Sequence, residues 1–482
     1  MGRTEVTTIL ITTIAFCDSG FGGSGLYLEN APDFTCTPPS NTSSYNVPNT
    51  NFENTCPCAN PIFSKLFRET TISTEYNLIC EKSTIPQFIT SSLLSSGIIA
   101  SFTIGPFADK FGYKFTAIRL LLISITSGVL INTTKSLLIY TICRNIQFFA
   151  IHGTYIVGMS ITRVIKVSEN LRNSLTILFL AIWSLGLVVL PLAGFVFRSW
   201  TGFQWYLTGS VVFAFVGLLV YDESFDTVQD EKKVQNVKTV DEEVENVTLI
   251  ANDSRDSLST RPSTSDNVYP TMIQIHKSES TESEIFSILD LTRPAKIILF
   301  KILCLLFTMG LVLFIFILDS RQVGMNFYAY KSIMAVIDIP FSLAIDPILK
   351  KKSHRYCYKV FYAICILSNM LLVLIKLLKL NVPFFEELDN ESFWALLILS
   401  LTGRGAVAGL WNFGYILISN HMPSGIRATT LGMAAGAATL GGAAAPLILM
   451  SNSILDCAPD AVCAIVLVVT WLVTYDIPEP SS

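Results

Sequence analysis

Asp18, Arg144, His152, Lys331, Asp338 and Arg404 are ionisable residues set in stretches that are otherwise apolar. Inside a membrane such groups are costly to hold, and they mark solute or ion paths, proton relays or internal ion pairs. Lys331 and Asp338 lie seven residues apart, about two helical turns, so a helix places them on one face. They are expected to line a path and to neutralise each other, the alternative being a pair that only packs. Asp18 stands among glycines, which also fit a kinked or close-packed helix. His152, two turns from Arg144, could relay protons, although a buried hydrogen-bonded histidine is the better explanation. Trp411 and Tyr415, four apart, project from one helical face. Tyr155 and Trp183 are weaker lining candidates. No metal-ligand spacing, phosphate loop or nucleophile elbow is present. Cys56-Pro-Cys58 lacks a nearby histidine, so disulfides explain it better than zinc. Passage of a solute, rather than covalent chemistry, is the expectation: no enzyme, no cofactor and no metal.

Those groups need membrane-spanning elements to position them. The chain has 482 residues, 51% hydrophobic and only 15% charged, against about a quarter charged in soluble proteins. Four windows carry no charge over spanning lengths: Ser83 to Ala108, Asn173 to Phe197, Ser199 to Tyr221 and Ala428 to Leu455. In a bilayer they must be helical, because only a helix satisfies its backbone within one segment. Hydropathy predicts spans at 7–28, 84–107, 113–132, 136–160, 173–197, 203–221, 296–318, 326–348, 357–379, 393–419, 427–451 and 461–475. The expected organisation is an N-terminus with helix 1 over 1–28 and an outer loop over 29–82. Helices 2–6 follow over 83–221, then a linker over 222–295. Helices 7–12 with a short tail occupy 296–482. From Asp222 to Asp290 there are 16 acidic against six basic side chains. Such a segment buries too little apolar surface to fold and reads as a disordered linker. No basic cluster interleaved with aromatics suggests nucleic acid.

Basic residues concentrate in the connections after spans 2, 4, 8 and 10, which places those connections, both termini and the linker in the cytoplasm. The segment Glu29 to Lys82 is then outside. It holds Cys36, Cys56, Cys58 and Cys80, expected to form disulfides in that oxidising compartment. Four cysteines allow three pairings, and the sequence does not choose among them. The sequons at Asn41 and Asn390 also fall outside and are expected to be glycosylated. Asn132 is outside but too near the membrane, and those at Asn246 and Asn252 fall inside. A competing reading of Arg3, the run Val6 to Phe16 and Ser19 is a signal peptide, which would leave eleven spans.

Between spans 2 and 3 stands Gly105-Pro-Phe-Ala-Asp109-Lys110-Phe-Gly112-Tyr-Lys114. It resembles the major facilitator superfamily signature, with Tyr113 in place of one base. Arg144 with Gln147 is similar to another motif of that superfamily, with Phe148 replacing its glycine. GSGLYLENAPDFTC from Gly23 to Cys36, FSILDL from Phe286 to Leu291, and Val336-Ile-Asp338-Ile-Pro340 resemble the organic cation/anion transporter family, solute carrier family 22. So does the stretch from Gly403, in which Arg404, Trp411, Tyr415, Pro423 and Arg427 fall in register. There are departures. Asn420 replaces an acid, Ser424 replaces threonine, and Glu169 is nearer Arg172 than that family's spacing. Asp222-Glu223-Ser224 lacks two prolines and an arginine of the pattern. The helix-11 position that carries charge in that family is Thr439, seven residues before Pro446, so substrate charge does not transfer.

The resemblance implies an all-α membrane protein of the major facilitator fold, with twelve transmembrane helices as two six-helix halves. It implies a plasma-membrane transporter of small organic ions or zwitterions by alternating access, together with a coupling ion or counter-substrate. A receptor or scaffold that kept the fold without transporting is the alternative. The substrate site is expected at Asp18, Lys331, Asp338, Arg404, Trp411, Tyr415 and Thr439. The gating set is Gly105, Asp109, Lys110, Gly112, Arg144, Arg172 and Arg427. Small residues from Gly432 to Ala445 are expected to let helix 11 pack closely.

Overall fold

In the computed structural model the described residues are 3–29, 34–36, 56, 58, 61–63, 70–164, 169–220, 291–318, 327–381, 389–422, 427–453 and 458–478. Met1–Asp222 and Leu291–Ser482 form one compact unit. Of the segment expected as the linker, 222–295, residues 222–290 lie outside the described residues, while its last three begin the helix Arg293–Leu318.

A helix occurs at each of the twelve positions anticipated from hydropathy. These are α1 (Arg3–Gly23), α2 (Ile85–Phe111), α3 (Tyr113–Thr133), α4 (Leu137–Val164), α5 (Glu169–Val196) and α6 (Trp200–Val220), then α7 (Arg293–Leu318). α8 is in two pieces, Phe327–Val336 and Asp338–Lys351, followed by α9 (His354–Asn381), α10 (Asp389–His421), α11 (Arg427–Leu449) and α12 (Ala458–Thr474). Among the described residues nine helices are long and apolar enough to cross a bilayer, and α12 is apolar but 17 residues long. α1 and α4 are not among the nine. They carry Asp18, Arg144, Gln147 and His152, the polar groups from which the centre of the protein is built.

In the first half α1 packs on α4, α5 and α6, while α3 lies against α4 and α6. In the second half α7 packs on α10, α11 and α12, and α9 on α10 and α12. Two seams join the halves: α2 along α11, and α5 along α8. The α2–α11 seam is tight because of a missing side chain. A Cβ on Gly432 would stand 2.6 Å from the Ser101 carbonyl oxygen, so only glycine lets the two backbones approach so closely. Gly112, between α2 and α3, has φ 97°, a conformation that favours glycine and permits the abrupt turn of the signature motif. Large apolar side chains such as Leu138, Phe213, Leu367 and Ile465 are exposed, as lipid-facing residues should be.

After α1 a short helix, Gly25–Leu28, ends at Glu29. Strands β1 (Phe34–Cys36) and β2 (Pro61–Phe63) pair antiparallel. Of the three possible pairings the structure has Cys36–Cys58 and Cys56–Cys80, which tie this hairpin to the start of α2. Asn41 is outside the described residues. Asn390 lies in the first turn of α10, its side chain likewise undescribed.

Candidate functional site

Asp18 is buried in the middle of α1, at 4% exposure. Its two oxygens are both engaged: Oδ1 with His152 Nδ1 of α4 at 2.9 Å, and Oδ2 accepting from Trp183 Nε1 of α5 at 2.9 Å. A buried carboxylate needs such partners to offset its desolvation. The His152 ring stacks between Phe148 and Tyr155, centroids 5.4 and 5.6 Å away, one helical turn on either side. Its Nε2 faces Ser101 Oγ of α2 and Thr439 Oγ1 of α11, each at 3.3 Å. Trp183 stacks on Trp411 at 6.0 Å, and Trp411 meets Tyr415 at 5.9 Å, both on α10. Tyr155 and Tyr415 are buried within electrostatic reach of Asp18. One cluster therefore joins the halves: Asp18, His152 and Trp183 from the first, Trp411, Tyr415 and Thr439 from the second.

Three of the other expected residues sit elsewhere. Asp338 and Lys331 do not form the pair anticipated from their spacing. α8 is interrupted at Ile337, and Asp338 is bound by Arg404 of α10, whose Nε and Nη2 reach the carboxylate at 3.0 and 2.9 Å. A guanidinium offers two parallel donors to a carboxylate, which an ammonium cannot match. Lys331 Nζ donates to the carbonyls of Phe316 and Ile317 at 3.3 and 3.1 Å. These are among the last carbonyls of α7, which lack helical partners and carry partial negative charge. Asp338 and Arg404 are a bonded pair within the second half.

The gating residues divide. Arg144 Nη2 donates to Ser24 Oγ, and its Nε lies 3.7 Å from Glu29 Oε1. Glu29 also accepts from Tyr140 Oη at 3.2 Å and Thr90 Oγ1 at 2.8 Å. Glu29 was read as the start of an outer loop, yet it is 1% exposed and binds α1 to α2 and α4. Gln147 accepts from Gln204 Nε2 at 2.7 Å, linking α4 to α6. Gly105 lies in α2 and Gly112 makes its turn, while Lys110 Nζ lies 5.4 Å from the Phe111 ring centroid. The side chains of Asp109, Arg172 and Arg427 are outside the described residues.

At the end of the cluster nearest the disulfide-bonded loop, Tyr27 after α1 stacks on Tyr328 of α8 at 6.4 Å, and Phe195 of α5 meets Tyr328 edge-on at 5.7 Å. At the other end the α2–α11 seam closes around Gly432. The central cluster thus lies between two closures, each made by side chains or backbone from both halves.

The sequence profile of the Major Facilitator Superfamily matches residues 70–446. The chain belongs to that superfamily. Membership makes it a multi-pass membrane transporter. Its curated relatives include solute carrier family 22 member 13 of Homo sapiens, 21% identical over 448 residues, covering 92% of this chain and 75% of the relative. Solute carrier family 22 member 6-B of Xenopus laevis is 23% identical over 406 residues, covering 81% and 67%. Among solved structures, a crystal structure of a D-xylose-proton symporter superposes with TM-score 0.60 at 13% identity, covering 99% of this chain and 98% of that one. That likeness concerns the fold. The match to the superfamily and the solute carrier 22 relatives agree with the resemblance read from the motifs.

His152 and Trp183 are the members of the cluster that spacing weighed least. Their signal was present but diffuse: a histidine and a tryptophan on apolar faces look like core until the acid they share is located.

Proposed function

We propose that the protein carries small organic ions or zwitterions by alternating access, with the solute held between Asp18, Trp183, Trp411, Tyr415 and Thr439. The observation that carries this reading is the cluster itself, in which six side chains from two halves converge between two closures. Rocking of one half against the other then exposes the same groups to each side in turn. Asp338 is compensated by Arg404 and Asp18 is shared with His152, so the solute meets a nearly neutral, aromatic-walled site. This favours zwitterions or mixed substrates over strongly charged ones. The flat faces of Trp183 and Trp411 suit a substrate bearing a cationic or planar group.

The test is uptake of an organic monocation, a monoanion and a zwitterion of matched size into proteoliposomes. The zwitterion should be carried best. Thr439→Asp should shift preference towards the cation by roughly tenfold, as ~1–2 kcal/mol of differential binding implies. Fixed preference in that variant at normal incorporation would remove position 439 from the site. Absence of flux for all three probes would contradict transport of this class.

The basic connections support a reading in which the termini, the α2–α3 turn and the linker face the cytoplasm, and the resemblance to solute carrier family 22 supports a plasma-membrane location. The disulfide-bonded hairpin is then extracellular. Glycosidase should shift the mobility of the wild type, and Asn41→Gln should remove most of that shift. A tag inserted at Ser263 and reached by antibody on intact cells would reverse the orientation.

A further inference from the structure

Three lysines inside the helices of the second half are compensated by protein groups. Lys301 of α7 is paired with Asp476, Lys376 of α9 with Asp460, and Lys331 of α8 with the last carbonyls of α7. Lys359 of α9 is different. It is the sixth residue of that helix, roughly 7.5 Å beyond the first, and its side chain is exposed. Among the described residues it has no hydrogen-bonding or ion-pair partner. Arg355, one turn earlier on the same face, is exposed too. It lies within electrostatic reach of Asp476, a carboxylate that Lys301 already holds. The stretch 350–359 contains five lysines and arginines and no acid. Basic residues close to a helix end reach for the membrane surface, and here two of them stand together without enough negative charge from the protein.

The two cations border a cleft between α9, α10 and the end of α12, lined also by Phe413, Leu417, Tyr475 and Ile477. Its floor is apolar and fixed. Tyr358 packs on Phe413 with ring centroids 6.1 Å apart, and the Tyr358 and Thr474 hydroxyls share a hydrogen bond. Beside the cleft Trp471 and Tyr475 meet at 6.2 Å, both exposed on α12 and the residue that follows it. Tryptophan and tyrosine in such positions sit at headgroup level. We propose that this cleft binds the headgroup of an anionic phospholipid of the cytoplasmic leaflet, with Arg355 and Lys359 on its phosphate and its chains running along α12 past Trp471. A guanidinium grips phosphate with two parallel donors, and the ammonium adds a point charge. Basic pockets between helices on the cytoplasmic side suit such headgroups. A free phosphate meets the same cations, but the exposed aromatic pair gives the site an apolar flank that acyl chains cover. The lining residues all belong to the second half, so the bound lipid travels with that half and leaves the path between the halves open. The leaflet rests on the orientation proposed above, and the site itself does not.

The test is native mass spectrometry of delipidated full-length protein titrated with phosphatidylserine or phosphatidylcholine, which share a phosphate and chains but differ in net charge. The first phosphatidylserine should bind about fivefold more tightly than phosphatidylcholine, and Arg355→Gln with Lys359→Gln should weaken it roughly tenfold or more. Arg355→Lys with Lys359→Arg keeps both charges and should retain the preference. Arg119→Gln removes an exposed base from α3, where it lies 4.0 Å from the Phe115 ring centroid, and should leave the affinity unchanged. Glycerophosphoserine, the headgroup without chains, should compete roughly a hundredfold more weakly than the lipid. Equal retention of the two lipids would overturn the site. So would an equal loss in Arg119→Gln, which would mean diffuse attraction to surface charge. Competition by glycerophosphoserine as strong as by the lipid would overturn the lipid in favour of a soluble anion. Reversal of the orientation, reported by the tag at Ser263, would move the site to the other leaflet without altering these affinities.

Discussion

Arg404→Met should leave little folded protein. The substitution keeps a long side chain in α10 but strands the Asp338 carboxylate, which is fully buried with its oxygens on the Arg404 guanidinium. Breaking a buried pair by removing one partner costs about 3–5 kcal/mol, because the other charge is left uncompensated. Against a typical stability of roughly 5–15 kcal/mol that is a large share. The measurement is thermal unfolding of detergent-purified protein, with the yield of monodisperse material as a second readout. Adding Asp338→Asn to Arg404→Met should recover most of the loss, since an amide is far cheaper to bury than a carboxylate. Equal stability of Arg404→Met and wild type would mean that this pair does not hold α8 to α10.

Asp18→Asn should spare the fold and cost transport. The amide oxygen can still accept from Trp183 Nε1, so α1 and α5 remain linked. It carries no charge with which to hold His152, and the central site loses its only carboxylate among the described residues of the cluster. Initial-rate uptake, normalised to surface protein, should fall at least tenfold, which corresponds to about 1.4 kcal/mol. Undiminished uptake at normal surface level would place the solute away from α1.

The helices were legible from the sequence because a bilayer imposes one solution on an uncharged stretch of about 20 residues. The signature motif was legible because Gly112 must take a positive φ between two antiparallel helices. The pairing of charges was not. Spacing along α8 puts Lys331 and Asp338 on one face, but it carries no information about what α7 and α10 present to them. The unpaired carbonyls at the end of α7 claim the lysine, and the arginine fork claims the aspartate. Glu29 was hidden for a related reason. It follows the last apolar residue of the first span, where an acid ordinarily marks the emergence of the chain into water. Only the folded half brings Arg144, Tyr140 and Thr90 around it. Trp411, Tyr415 and Thr439 were placed by motif register, and they do meet the first half. Asp18 was singled out by cost alone, and its partners are tertiary.

The central claim is that one solute site lies between two halves that open alternately. Tyr27 and Tyr328 stack across the closure nearest the hairpin, one from each half. Tyr27→Cys with Tyr328→Cys, joined by a short bifunctional thiol reagent, should therefore abolish flux of whichever probe the wild type carries. Each single-cysteine variant treated in the same way should transport normally. Continued flux through fully cross-linked protein would contradict the claim.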